Sequence, residues 1–165
     1  MRSVVLIRHA KAEPVAASDH ERALTERGRL DAAALGRRLT ALQVVPGLVY
    51  VSSARRTEQT WDELVRAAGW TAPAHADRGL YGADEEAVLE LLRVTDDEVA
   101  TVAVVGHNPT MGMLAHALDD GRGPASAELA GGFPTATAAV LDLDGSWTDL
   151  GPASSRLRLF EVGRA

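Results

Sequence analysis

Val4-Val5-Leu6-Ile7-Arg8-His9 sets four apolar residues, three of them β-branched, directly before two basic ones. So short an apolar run, bounded by charge, reads as a buried strand. The same grammar returns twice. Leu48-Val49-Tyr50-Val51 runs into Ser52-Ser53-Ala54-Arg55-Arg56, and Thr101-Val102-Ala103-Val104-Val105 runs into Gly106-His107-Asn108-Pro109. Helical patterns fill the intervals. Thr25 suits the cap of a helix over about 26–42, with Leu35, Leu39 and Leu42 on one face and Pro46-Gly47 as its breaker. Ser52 or Ser53 suits the cap of a helix over about 54–68, with Trp61, Leu64, Val65 and Ala68 as the buried stripe and Gly69 as its end. Asp84 can cap a helix through about Arg93, and Pro109 suits the first turn of a helix running to about Leu118.

The rest is less regular. Residues 10–24 are polar and irregular, 73–82 hold a short extended piece and a loop, and the Gly- and Pro-rich stretch 121–134 reads as a loop. Residues 136–143 and 157–162 read as two late strands forming a hairpin or edge pair. Strands that alternate with helices predict an α/β three-layer sandwich: a mostly parallel central sheet with helices on both faces, mixed by the late strands. With 165 residues and no repeat, low-complexity tract or linker, the chain is expected to form one domain over 1–165.

Composition narrows the function. Hydrophobic residues make up 46% and charged residues 24%, an ordinary globular balance that argues against disorder. No stretch approaches the ~20 apolar residues of a spanning helix, so no membrane role is expected. Lys and Arg number 17 against 23 Asp and Glu, for a net charge of −6. Such a chain repels polyanions overall, so nucleic acid is not an expected partner, although a local basic pocket is compatible with the balance. There is no cysteine, hence no disulfide, thiolate metal site or Cys nucleophile. The four-residue apolar run ahead of Arg8 is too short for a signal peptide, and the expected location is the cytoplasm.

Ligands of open α/β sheets bind beyond the carboxyl ends of the strands. If the three clear strands are parallel neighbours, Arg8-His9, Ser52-Ser53-Ala54-Arg55-Arg56 and Gly106-His107-Asn108 converge on one sheet edge. Each piece alone also fits a solvated strand end or a turn. Arg55-Arg56 at a helix start opposes the helix dipole, and a bound anion would reverse that penalty. Together the pieces suggest a compact anion site in an acidic protein.

These residues resemble the histidine phosphatase superfamily. Leu6-Ile7-Arg8-His9-Ala10-Lys11-Ala12 is similar to its Arg-His-Gly signature. Ser18-Asp19-His20-Glu21-Arg22-Ala23-Leu24-Thr25-Glu26-Arg27-Gly28 resembles the next segment of the small phosphohistidine phosphatases of the SixA type. Ser52-Ser53-Ala54-Arg55-Arg56-Thr57-Glu58-Gln59-Thr60 resembles the Ser-x-x-x-Arg-Ala-x-Gln-Thr element, and Val105-Gly106-His107-Asn108-Pro109 the second-histidine element. The motifs stand in family order over residues 3 to about 118.

The resemblance implies a phosphoglycerate mutase-like fold and the following roles. His9 is the nucleophile that takes the phosphoryl group. Arg8 and Arg56 clamp its oxygens, Arg56 rather than Arg55 because it stands three residues before Gln59. His107 donates to the phosphoryl oxygens, and Arg22 is a further phosphate ligand. Apart from the resemblance, Asn108 and Lys11, the latter by its place beside the Arg-His pair, are candidate substrate contacts. Guanidinium forks match phosphate geometry, and fixed cations stabilise charge spread over equatorial oxygens. Neighbouring guanidiniums also favour the neutral imidazole that attack requires. The scheme needs no cofactor and no metal, and the histidine spacing offers no i, i+3 or i+4 metal pair.

Departures from the family pattern bear on the substrate. Ala10 replaces the signature Gly, and Ser53 stands where many members have Pro. Larger members carry a glutamate proton donor in the segment that here reads Leu80-Tyr81-Gly82-Ala83-Asp84-Glu85-Glu86, where no carboxylate clearly takes that position. Asp84 and Glu85 are open to two readings: an acid, or a helix cap and its dipole partner. Without an acid the enzyme should prefer good leaving groups, such as the imidazole of a phosphohistidine, over alkoxides. The expected partner is a phosphorylated protein or a small phosphate-bearing substrate. Two other readings stay open: a phosphomutase of the phosphoglycerate mutase type, and a non-catalytic phosphate-binding module. Lys11, the only lysine, invites a steering role or is a leftover surface position. His20 and His75 are expected on loop surfaces, His116 on a helix in a structural role, and Trp61 in the core.

Overall fold

The computed structural model describes residues 1–165. Six strands form one sheet: β1 (Arg2–Arg8), β2 (Leu48–Ser52), β3 (Ala74–Asp77), β4 (Thr101–Gly106), β5 (Thr137–Leu143) and β6 (Arg156–Val162). Their order is β3-β2-β4-β1-β5-β6. The neighbours β3, β2, β4 and β1 pair in parallel, whereas β5 runs antiparallel to both β1 and β6. The late strands therefore do pair with each other, and β5 is also an interior strand, inserted between β1 and the edge strand β6.

Four helices accompany the sheet: α1 (Glu26–Ala41), α2 (Arg55–Ala68), α3 (Glu85–Arg93) and α4 (Thr110–Leu118). The strands separate two cores by their period-two alternation. Val4 and Leu6 of β1 and Val102 and Val104 of β4 pack with Val88, Leu89 and Leu92 of α3 and Met111, Leu114 and Leu118 of α4. Val5, Ile7, Ala103 and Val105 face the other way, onto Leu35 and Leu39 of α1 and Trp61 and Leu64 of α2. The result is the expected three-layer sandwich. No helix is long and apolar enough to cross a membrane.

Two helix readings need correction. Leu42 lies past the end of α1 and is 40% exposed. Gln43 takes a left-handed φ of 60°, which turns the chain and hands the burial to Val44. Neither Ser52 nor Ser53 caps α2: the cap position is Ala54, with no side-chain cap bond, and both serine hydroxyls engage histidines instead. The caps read at Thr25 and Asp84 are present, accepting from Gly28 N and Ala87 N at 2.9 Å each. Helices α1 and α2 approach closely at Gly36, where a Cβ would stand 2.7 Å from the Leu64 carbonyl oxygen. The loop 121–134 contains a short 3-10 turn over Ser126–Gly131.

Candidate active site

The site follows from strand register. β4 lies between β1 and β2. Arg8 is opposite Gly106 and Val51 opposite Val105, so the next residues along, His9, Ser52 and His107, emerge together at the carboxyl edge. The backbone of His9 is held from both sides: its N–H donates to Gly106 O at 3.1 Å, and its carbonyl accepts from Ala136 N at 3.0 Å. The His9 and His107 ring centroids are 5.4 Å apart.

The Gln-Thr end of the α2 motif secures the loop after β1. Thr60 Oγ1 accepts from Ala10 N at 3.0 Å and donates to Arg56 O at 2.7 Å. Gln59 Oε1 accepts from Leu24 N at 2.7 Å. Helix α2 thus fixes the residue after His9 and the segment carrying Arg22. Gly28 lies so close beneath Lys11 that a Cβ there would fall 2.1 Å from the Lys11 carbonyl oxygen.

Each histidine makes one side-chain hydrogen bond. His9 Nδ1 lies 2.7 Å from Ala10 O. A carbonyl only accepts, so this partner assigns the ring proton to Nδ1 and leaves a lone pair on Nε2. Burial foremost, then the charges of Arg56, Arg8 and Arg22, draw the His9 pKa down from 6.5 to about 4, against the Ala10 hydrogen bond. His107 Nε2 lies 2.7 Å from Ser52 Oγ. Burial, with His9 and Arg56 beside it, lowers the His107 pKa to about 3. Both imidazoles are therefore neutral at neutral pH.

Three arginines surround them. Arg56 is buried while Arg55 is exposed, which separates the two candidates in the motif. Arg56 Nη1 donates to Asp19 O at 2.8 Å and Nη2 to the Asp19 carboxylate at 3.1 Å. Arg22 Nη1 donates to the other carboxylate oxygen at 2.9 Å, and its Nε to Glu13 O at 2.7 Å. Arg8 Nη1 donates to Phe133 O at 3.0 Å. The Nε atoms of Arg8 and Arg56 are buried without a partner.

Of the remaining candidates, Asn108 is built into the scaffold. Its Nδ2 donates to Phe133 O at 2.8 Å and its Oδ1 accepts from Gly112 N at 3.2 Å. The Lys11 side chain is exposed and makes no hydrogen bond or ion pair, while its carbonyl accepts from Thr25 N at 2.9 Å. Asp84 is occupied as the α3 cap, and Glu85 makes no side-chain hydrogen bond. His116 is exposed on α4, His75 is exposed on β3, and Trp61 is core, stacked on Trp70. No group of three His, Cys, Asp or Glu side chains is placed to hold a metal ion.

Several residues at the site escaped sequence reasoning. Asp19 accepts from Tyr81 Oη as well as from Arg22 and Arg56, and these partners hold its carboxyl far below the usual range. The Tyr81 ring meets His107 edge-on at 5.7 Å and His20 at 4.9 Å. His20, expected on a loop surface, is partly buried, with Nε2 2.9 Å from Ser53 Oγ. The Phe133 carbonyl gathers Arg8 and Asn108. Asp19 lies in the SixA-like segment and Tyr81 in the segment where larger members carry an acid, and that is their only sequence signal; a backbone carbonyl leaves none.

Comparison with known proteins shows the family. A model of the Histidine phosphatase superfamily (branch 1) matches residues 4–84. An uncharacterized protein of Mycobacterium tuberculosis is 38% identical over 162 residues, 96% of this chain and 100% of the relative. The structure of a candidate phosphohistidine phosphatase SixA from Nakamurella multipartitia superposes with a TM-score of 0.86 at 33% identity, covering 99% of this chain and 97% of that one. The protein histidine phosphatase SixA complexed with tungstate gives a TM-score of 0.79 at 26% identity, covering 97% and 96%. By the family match over residues 4–84 and near-complete superposition on a relative of 33% identity, the chain belongs to branch 1 of the histidine phosphatase superfamily.

Proposed function

We propose that this protein is a phosphatase that works through a phosphohistidine on His9, without a metal, on protein-borne phosphohistidine or small phosphate esters. The observation that carries the reading is one neutral imidazole with a free Nε2 lone pair, set 5.4 Å from a second imidazole and next to the buried guanidinium of Arg56 and the partly buried ones of Arg8 and Arg22. In the first step His9 Nε2 attacks phosphorus, the bond from phosphorus to the leaving group breaks, and its electron pair departs with that group. In the second, water attacks phosphorus, the P–Nε2 bond breaks, and the pair returns to His9. Arg8 and Arg56, joined by Arg22, take the equatorial oxygens, and His107 donates to them. A SixA-like relative complexed with tungstate, a tetrahedral oxyanion, supports an oxyanion-binding role for this fold.

The acid balance favours a phosphoramidate. Asp19 is held ionised, Tyr81 is held as a phenol by that carboxylate, and His107 is neutral. None is a strong acid at neutral pH, so an alkoxide would leave with little help. A phosphohistidine brings its own second ring nitrogen, which carries a proton as the imidazole leaves. Rapid quench with labelled substrate, followed by mass spectrometric mapping, tests the reading. Label on His9 and loss of turnover in His9→Ala are expected. Robust hydrolysis by His9→Ala overturns the nucleophile assignment.

A further inference from the structure

Ser52 closes β2 beside the β4 end that carries His107, and it is fully buried. Its hydroxyl holds one proton, and that proton needs an acceptor because no water reaches the residue. Two groups lie within reach. The backbone N–H of Ala54, at 3.4 Å, only donates. His107 Nε2, at 2.7 Å, is the sole acceptor. The nearby Ser52 carbonyl is taken by the Thr57 hydroxyl at 2.8 Å.

We infer that Ser52 is a positioning residue that holds His107 as the neutral tautomer with its proton on Nδ1, leaving that N–H as the donor for a phosphoryl oxygen. The Nδ1 atom has no partner within the protein, as a donor kept for an incoming group requires. His9 is the mirror case: its Nδ1–H is spent on Ala10 O and its Nε2 lone pair is free. Two chemically identical side chains are thus set in the same tautomer, one by a carbonyl that cannot donate and one by a buried hydroxyl that must, and they present opposite ring atoms: the Nε2 lone pair at His9 and the Nδ1–H at His107. The same hydroxyl resists a second proton on His107, since the imidazolium would strand it in the interior. The groups facing His107 are His9 from β1, Arg56 from α2, Asp19 and His20 from the turn before Arg22, and Tyr81 from the turn before α3. Of the charges among them, only Asp19 favours its protonation.

The tautomer stands independently of turnover, while its use in catalysis rests on the proposed phosphatase reading. Two-bond 1H–15N correlation of the full chain labelled at histidine, at neutral pH, reads the tautomer directly. His107→Gln assigns the signals. A protonated Nδ1 with an unprotonated Nε2 is expected at both His107 and His9. Finding His107 protonated on Nε2, or doubly protonated, overturns the inference. Ser52→Ala should let both tautomers of His107 coexist and lower kcat roughly ten- to hundredfold with KM little changed. Ser52→Thr, which keeps the hydroxyl, should retain the single tautomer and most of kcat. An unchanged single tautomer and unchanged kcat in Ser52→Ala also overturn it. A wild-type chain that shows the expected tautomer yet hydrolyses no phosphohistidine or phosphate ester would refute the phosphatase reading alone.

Discussion

Asp19 and Arg56 are joined twice, through the Asp19 carbonyl at 2.8 Å and its carboxylate at 3.1 Å. The carboxylate also takes Arg22 and Tyr81, so in the resting site the anion facing these cations belongs to the chain itself. A phosphoryl group drawn to the same guanidiniums must share them with Asp19.

Asp19→Asn keeps the shape and removes that charge. Inorganic phosphate should then bind about three- to fivefold more tightly, the scale of a partly exposed ion pair. Isothermal titration checks this. Weaker binding would mean that Asp19 serves mainly to hold the arginines in place.

The acid limb of turnover should sit far below the usual histidine range. His9 titrates at about 4 rather than 6.5, and only its neutral form has the lone pair for attack. The rate kcat/KM should stay level as pH falls through 6.5 and drop only on approach to about 4. A midpoint near 6.5 in a steady-state profile would contradict the buried environment of the ring.

The same depressed values tie folding to pH. An unfolded histidine takes a proton near 6.5, but folded His9 and His107 take theirs at about 4 and about 3. Between these limits the unfolded chain binds more protons, so stability rises with pH across the window and is lost as pH falls through it. Urea midpoints should therefore decline from about pH 7.5 to about pH 5 by more in the wild type than in a His9→Gln, His107→Gln double variant.

Thr60→Val replaces a buried hydroxyl with a methyl of similar size. It strips the acceptor from Ala10 N and the donor from Arg56 O. A buried amide left unpaired costs about 1–3 kcal/mol, and urea unfolding should show that loss. Because Ala10 follows the nucleophile, kcat should fall as well.

Gly36→Ala should cost about 1–3 kcal/mol despite the better helix propensity of alanine, since α1 and α2 must part to seat the methyl. Thermal unfolding measures it. A gain in stability would mean that the two helices yield freely at this crossing.

The strands and helices were legible because their periodicity is local: Val4 to Ile7 and Val102 to Val105 announce burial on both faces by composition alone. Their adjacency was not legible. Nothing in the residues says that β4 enters between β1 and β2, although the convergence of His9, Ser52 and His107 depends on it. Leu42 was misplaced because a helical stripe does not reveal where the helix stops, and Gln43 turns the chain one residue later. Motif positions led to His9, Arg56 and His107. Asp19, Tyr81 and Ser52 act through partners remote in sequence, and Phe133 acts through its backbone, where side-chain identity carries no message. The partners of Asn108 were not legible either: its amide meets Phe133 O and Gly112 N, the first remote in sequence.

The insertion of β4 has a consequence for how the protein comes into being. Val4 pairs with Val102, so the central ladder joins segments made far apart in time on the ribosome. Such non-local pairings close slowly, on a scale of about milliseconds to seconds. A nascent or partly assembled chain carries its first imidazole without its counterpart. On the proposed phosphatase reading, appearance of activity should therefore report completion of the sheet, and newly made chains should be unable to strip phosphate from bystanders before they are whole.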